Sequence, residues 1–93
     1  MTQKLKGRTI TAENLFSDAV KLQGYFNLSI TGTWVATVTV QRCFDGGSTW
    51  YDVDTFIANT QEYGLEPEGG IQYRIGIKTG DFTSGTCVVR LSQ

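Results

Sequence analysis

The chain has 93 residues, eight of them Lys or Arg and nine Asp or Glu, with a net charge of −1, which suits one small domain. This balance argues against nucleic acid or an anionic membrane as the main partner, because both bind strongly basic surfaces. Histidine is missing, and with it the usual general base and the commonest metal ligand. We therefore expect no enzymatic activity, catalytic residue, cofactor or bound metal.

Short alternating runs separated by Gly, Asn and Asp predict an all-β domain. The predicted strands cover residues 19–22, 25–31, 34–43, 49–56, 62–65, 71–79 and 86–92, with a weaker polar strand or arm at 5–11. Gly32-Thr33 is predicted to turn a hairpin, and residues 12–18 to form a helical turn or an irregular loop. About seven or eight strands with one polar face each predict an antiparallel β-sandwich, jelly-roll or immunoglobulin-like.

Alternation along the strands predicts which side chains face the core. Phe26, Leu28 and Ile30 share the inward face of their strand. The same holds in the strand at 71–79 for Ile71, Tyr73, Ile75 and Ile77, and in the last strand for Cys87, Val89 and Leu91. Cys43 has the outward parity of its strand, so we expect no disulfide between the two cysteines. The start of the chain lacks the apolar run of a signal peptide, which favours a cytosolic site of synthesis and free thiols.

Two loops are predicted late in the chain. Residues 65–70 contain Pro67 and two glycines, with Glu66 and Glu68 expected in water. Residues 79–85 form the other loop, with Phe82 expected at its tip as a contact candidate.

The densest motif is Cys-Phe-Asp-Gly-Gly-Ser-Thr-Trp at residues 43–50. It resembles the Asp-box, Ser-x-Asp-x-Gly-x-Thr-Trp, with Cys43 in the place of the serine. Asp45 is expected to accept backbone hydrogen bonds from the turn, and Gly46 and Gly47 to supply positive φ. Thr49 completes the pattern. We interpret the motif, closed by Trp50, as a hairpin staple; in the sialidases and other families that repeat it, the motif lies remote from the chemistry.

Residues 24–93, and above all 32–53 and 59–93, resemble small all-β virion proteins of tailed bacteriophages. The resemblance implies a structural protein located in the virion and assembled in the host cytoplasm. Its expected place is the outside of the capsid, as a decoration or cement protein that stabilises the shell. The implied partners are the major capsid protein and further copies of this chain, as a homo-oligomer.

Residues 1–10 are predicted to form an extended N-terminal arm, and residues 11–93 the sandwich. The arm carries Lys4, Leu5, Lys6 and Arg8, which we expect to contact an acidic capsid surface or to augment the sheet edge of a neighbour.

Two alternatives place the chain elsewhere in a virion. One is a glycan- or receptor-binding module of a head or tail fibre, which would use exposed aromatic side chains at one loop end, with Trp34, Tyr51 and Phe82 as candidates. The other is a tail or baseplate component, which would assemble into rings or tubes without a capsid.

Overall fold

The computed structural model describes residues 4–93, which form nine β-strands and no helix within that range. The strands are β1 (Leu5–Ile10), β2 (Leu15–Phe16), β3 (Val20–Lys21), β4 (Gly24–Ala36), β5 (Val38–Cys43), β6 (Tyr51–Phe56), β7 (Thr60–Glu66), β8 (Gln72–Ile77) and β9 (Phe82–Ser92). Sheet A has the strand order β1-β9-β4-β7; sheet B has the order β2-β8-β5-β6, and β3 also pairs with β8. The predicted antiparallel β-sandwich is confirmed. None of the described residues forms a helix that could cross a membrane.

The core lies between the sheets and is built from alternate residues of their central strands. Ile30, Ile75 and Val89 are completely buried, and Phe26 and Leu28 are nearly so. The predicted inward faces of β4, β8 and β9 are therefore confirmed. Alternation succeeds here because each of these strands has one face on the core and one face outside it.

The predicted hairpin at Gly32-Thr33 is wrong. Strand β4 runs straight through these residues and stays paired with β9, with Gly32 opposite Cys87. Gly32 has a φ of +105°, and a Cβ atom there would overlap the Thr86 carbonyl oxygen. The glycine therefore serves a close approach between two strands rather than a chain reversal.

The chain changes sheets at Thr37. Ala36 ends β4 in sheet A, Val38 begins β5 in sheet B, and the Thr37 backbone N–H donates to the Asp81 carbonyl at 2.9 Å. The single strand predicted at 34–43 is thus two strands of different sheets. When a chain changes sheets without a turn, the alternation of apolar and polar residues continues almost unbroken, so the sequence does not reveal the change.

Three other segments differ from their predictions. The segment at 12–18 contains β2 instead of a helical turn, and Phe82 begins β9 instead of standing at a loop tip. Within the predicted arm, Leu5–Ile10 is β1, paired with β9 along its whole length; residues 1–3 lie outside the described residues. The edge strand contributes Ile10 to the core, so these residues belong to the sandwich.

Both cysteines are free and buried, in different places. Cys87 lies in the core between the sheets. Cys43 follows Gln41 on the outer face of sheet B and is covered by the loop that follows β5. Cys43 is therefore not solvated, although it lies on the outward parity that the sequence predicts.

Candidate functional site

The loop between β5 and β6 holds itself together through Asp45. Its Oδ1 accepts hydrogen bonds from the backbone N–H groups of Ser48 (3.2 Å) and Thr49 (2.9 Å). The Cys43 thiol donates to the same carboxylate at 2.8 Å and accepts from the Gly47 N–H at 3.0 Å. The thiol, at the position where the Asp-box motif has serine, is thus bonded to both Asp45 and the turn.

The turn at Gly46-Gly47 and the indole ring of Trp50 complete this loop. Gly46 and Gly47 have φ values of +76° and +107°, and Trp50 Nε1–H donates to the Gly47 carbonyl at 3.1 Å. The thiol of Cys43 and then the N–H of Thr49 hold the pKa of the Asp45 carboxyl down, at about 2. The side chains are thus engaged within the loop, which makes it a structural element.

The outer face of sheet B carries a connected polar network. Gln41 donates to Asp52 at 2.9 Å, Lys78 donates to the other Asp52 oxygen at 2.8 Å, and Arg74 donates to Gln41 at 2.8 Å. The Arg74 guanidinium lies 4.4 Å from the Phe16 ring centroid and 4.3 Å from that of Trp50. A register shift after Val40 places Asp54 opposite Val40 and Asp52 opposite Gln41, so the two carboxylates face different sides of the sheet.

Glu66 is buried, so its expected exposure in a solvated loop is wrong. Its carboxylate accepts from Tyr73 Oη at 2.8 Å, from the Glu68 N–H at 2.9 Å and from the Arg42 guanidinium. Burial alone would raise the pKa of Glu66, but these three donors together hold it below its ordinary value. In turn, burial and the bond to Glu66 raise the pKa of Tyr73 to about 12.

This Glu66 cluster connects three strands. Glu66 ends β7 in sheet A, whereas Arg42 and Tyr73 lie in β5 and β8 of sheet B. The alternation of β7 gave no signal for it, because Tyr63 and Leu65 are exposed whereas Glu66, on the opposite parity, is buried. Arg42 and Tyr73 come from two other strands, so the cluster depends on the tertiary fold.

The predicted contact residues of the N-terminal segment all lie at or beside one edge of the sandwich. Lys4 Nζ donates to the Lys21 carbonyl at 2.9 Å, and Arg8 donates to the Phe16 carbonyl at 3.0 Å. Both bonds reach from sheet A to sheet B. Lys4, Leu5, Lys6 and Arg8 are nevertheless all exposed, so the edge remains a basic surface.

The structure does not bring Trp34, Tyr51 and Phe82 together. Trp34 and Phe82 are partly buried against the core, and Trp34 donates to Asn59 at 2.7 Å. Tyr51 is exposed and lies at the other end of β5, opposite Arg42, with its ring 6.1 Å from that of Phe44. Two of the three rings therefore belong to the packing of the domain.

The outer face of sheet A presents a different set of exposed side chains. Tyr25 and Tyr63 are 68% and 74% exposed, with ring centroids 6.0 Å apart. Beside Tyr63 lies a polar groove of about 480 Å³. It is lined by Asn27, Leu28, Ser29, Gln61, Glu62, Tyr63, Arg90 and Ser92. The sequence did not pair Tyr25 with Tyr63, because adjacency on a sheet face depends on register.

A second, shallower groove lies over β1 and β9 on the same face. Its volume is about 390 Å³, and its lining includes Leu5, Arg8, Val88 and Arg90. The two aliphatic side chains are 45% and 40% exposed. We call this the β1–β9 groove; it combines the cationic side chain of Arg90 with apolar side chains and contains no acidic lining residue. The Arg8 guanidinium points to the other face, where it donates to Phe16.

Comparison with family models, curated proteins and solved structures found no match to this chain. The resemblance to phage virion proteins therefore stays a prediction, and the geometry of the sandwich is the basis for its function.

Proposed function

We propose that the chain is a non-enzymatic structural protein of a tailed-phage virion that binds the outside of the capsid as a homo-oligomer and stabilises the shell. The β1–β9 groove carries this proposal. It offers Arg90 to an acidic surface, with Leu5 and Val88 as apolar contacts beside it. A contact of this kind combines electrostatic complementarity with apolar burial. Many weak copies on one shell would add up to strong retention.

The fold supports a rigid contact surface. The groove lies over two paired strands of sheet A, and the same strands place Ile10, Val89 and Leu91 in the core. A surface held by a sheet in this way loses little conformational freedom on binding. Deletion of residues 1–10 is not a clean test, because it would remove a strand of the sheet together with Ile10.

The test is co-sedimentation of the purified protein with undecorated capsids of the phage that carries its coding sequence. We expect saturable binding at hundreds of copies per capsid. Arg90→Glu should reduce binding strongly, whereas Lys21→Glu makes the same charge change at an exposed site in β3 and should not. A handful of copies per particle, or equal binding by the two variants, would exclude the decoration function at this groove.

A second candidate function is glycan binding by a fibre module, and the Tyr25–Tyr63 pair favours it. Exposed tyrosine rings next to amide and guanidinium groups suit a sugar, whose faces stack on rings and whose hydroxyls need hydrogen bonds. Tyr63→Ala should abolish retention on immobilised host polysaccharide, and Tyr51→Ala should leave it unchanged. Identical elution of wild type and Tyr63→Ala would count against the sugar site.

A further inference from the structure

The two edges of sheet A carry opposite charge. At one edge, residues 4–10 contain Lys4, Lys6 and Arg8 and no acidic residue. At the opposite edge, β7 carries the exposed Glu62 and the buried Glu66 and no basic residue. Glu62 and Asp54, which lies in β6 at the neighbouring edge of sheet B, line a cleft of about 130 Å³ between the two strands. The β1 edge is thus basic, and the accessible charges beside the β7 edge are carboxylates.

Both edges have room for another strand. Among the described residues, β1 pairs with β9 alone and β7 pairs with β4 alone, so each strand has one side without a neighbouring strand. Such edges accept a further strand through backbone hydrogen bonds. The two strands are also similar in length, at six and seven residues.

The strand directions allow one copy to continue the sheet of the next. Each neighbouring pair in sheet A is antiparallel, so β1 and β7 run in opposite directions. A second copy placed by translation beyond β7 would therefore bring its β1 antiparallel to β7. This is the pairing that the sheet already uses throughout.

The side-chain faces also agree in this arrangement. Lys6 and Arg8 lie opposite Leu91 and Val89 in β9, which places them on the inward parity of sheet A. Glu62 lies opposite Leu28 and has the same inward parity. In a continuous sheet the cations of one copy would thus lie on the same side as Glu62 of the next and would face the cleft that Asp54 lines.

We propose that copies of this chain associate head to tail, with β1 of one copy extending sheet A beyond β7 of the next. This contact joins two different surfaces, so it generates a ring if the rotation between copies closes and a filament if it does not. It rests on the homo-oligomer part of the proposed function and leaves the β1–β9 groove on the outer face free for a shell.

The test is sedimentation velocity of the purified protein without capsids, over a range of protein concentrations. We expect Lys6→Glu and Glu62→Lys each to raise the self-association Kd about tenfold or more, because each places like charges across the contact. An equimolar mixture of the two single variants should regain association. In the mixture, the acidic β1 edge of one variant meets the basic β7 edge of the other, and the unaltered Lys6 and Glu62 edges meet each other. The double variant should associate like the wild type.

A salt series and hydrogen exchange locate the contact. Raising the salt from about 0.1 M to about 1 M shortens the Debye length from about 10 Å to about 3 Å, so association should weaken. Backbone amides of β1 and β7 should gain protection with protein concentration, and those of β3 should not. A monomer at every concentration, or a mixture that fails to regain association, would overturn the proposal. Neither result would bear on shell binding, which co-sedimentation measures separately.

Discussion

Two carboxylates in this chain are held ionised in opposite ways. Asp45 is exposed, and its partners lie within four residues of it in the chain. Glu66 is completely buried, and two of its three partners come from the other sheet. In both cases hydrogen bonds to the charged form lower the pKa. The comparison shows that the pKa of a carboxyl group can be lowered by a local turn or by the packing of two sheets.

Removing the buried carboxylate should have the largest effect. Glu66→Ala leaves Tyr73, the Glu68 N–H and Arg42 without their acceptor, and we expect it to lower the free energy of unfolding by about 3 kcal/mol. Urea unfolding followed by fluorescence measures the change. Glu68→Ala, an exposed substitution two residues away that keeps the Glu68 N–H, is the matched control and should stay close to wild type. A Glu66→Ala variant as stable as that control would refute the role of the cluster.

Lowering the pH should reduce the free energy of unfolding, because both carboxylates become protonated. Each has a folded pKa below its unfolded value, so each contributes stability that is present above pH about 4 and lost as the pH falls through the folded pKa. For Asp45 this loss extends down to pH about 2. Between pH 6 and pH 2, the free energy of unfolding should therefore fall less steeply with decreasing pH for Asp45→Asn than for wild type. Parallel curves would show that the Asp45 carboxylate is not engaged in solution.

A smaller loss is expected from Tyr73→Phe. The ring and its packing against Phe26, whose centroid is 4.9 Å away, would stay in place. The change removes one of three donors to Glu66 and should cost about 1 kcal/mol. Combined with Glu66→Ala it should cost little more than Glu66→Ala alone, because the bond is then already lost. Full additivity in this double-mutant cycle would show that the two groups do not interact.

The smallest effect should come from the ion pair on the outer face of sheet B. Lys78 and Asp52 have side chains that are 42% and 45% exposed, and exposed pairs contribute little because water and salt screen them. Lys78→Gln should leave the midpoint of thermal unfolding unchanged within measurement error. A clear fall would show that the Gln41–Asp52–Arg74 network depends on the lysine.

Prediction from sequence worked where the determining contacts are local. The all-β class and the inward residues of β4, β8 and β9 follow from a period of two that each strand carries in its own residues. The turn at Asp45-Gly46-Gly47 was predictable because the residues that form it are adjacent in the chain. Prediction failed at Gly32, where the glycine serves a strand 55 residues away, at Cys87. It failed again at Glu66, whose environment the neighbouring Pro and Gly residues do not reveal.

The candidate surfaces also depend partly on local sequence and partly on contacts between distant residues. The sequence by itself determined that the chain is an all-β domain, that its first residues are basic and its middle acidic, and that residues 43–50 form a turn. Only the tertiary structure decided that the basic residues lie on or beside an edge strand, that Tyr25 and Tyr63 are neighbours, and that a buried cluster joins the sheets. Strand order and register bring together residues that are distant in the chain, and alternation within one strand carries no information about which strand becomes its neighbour.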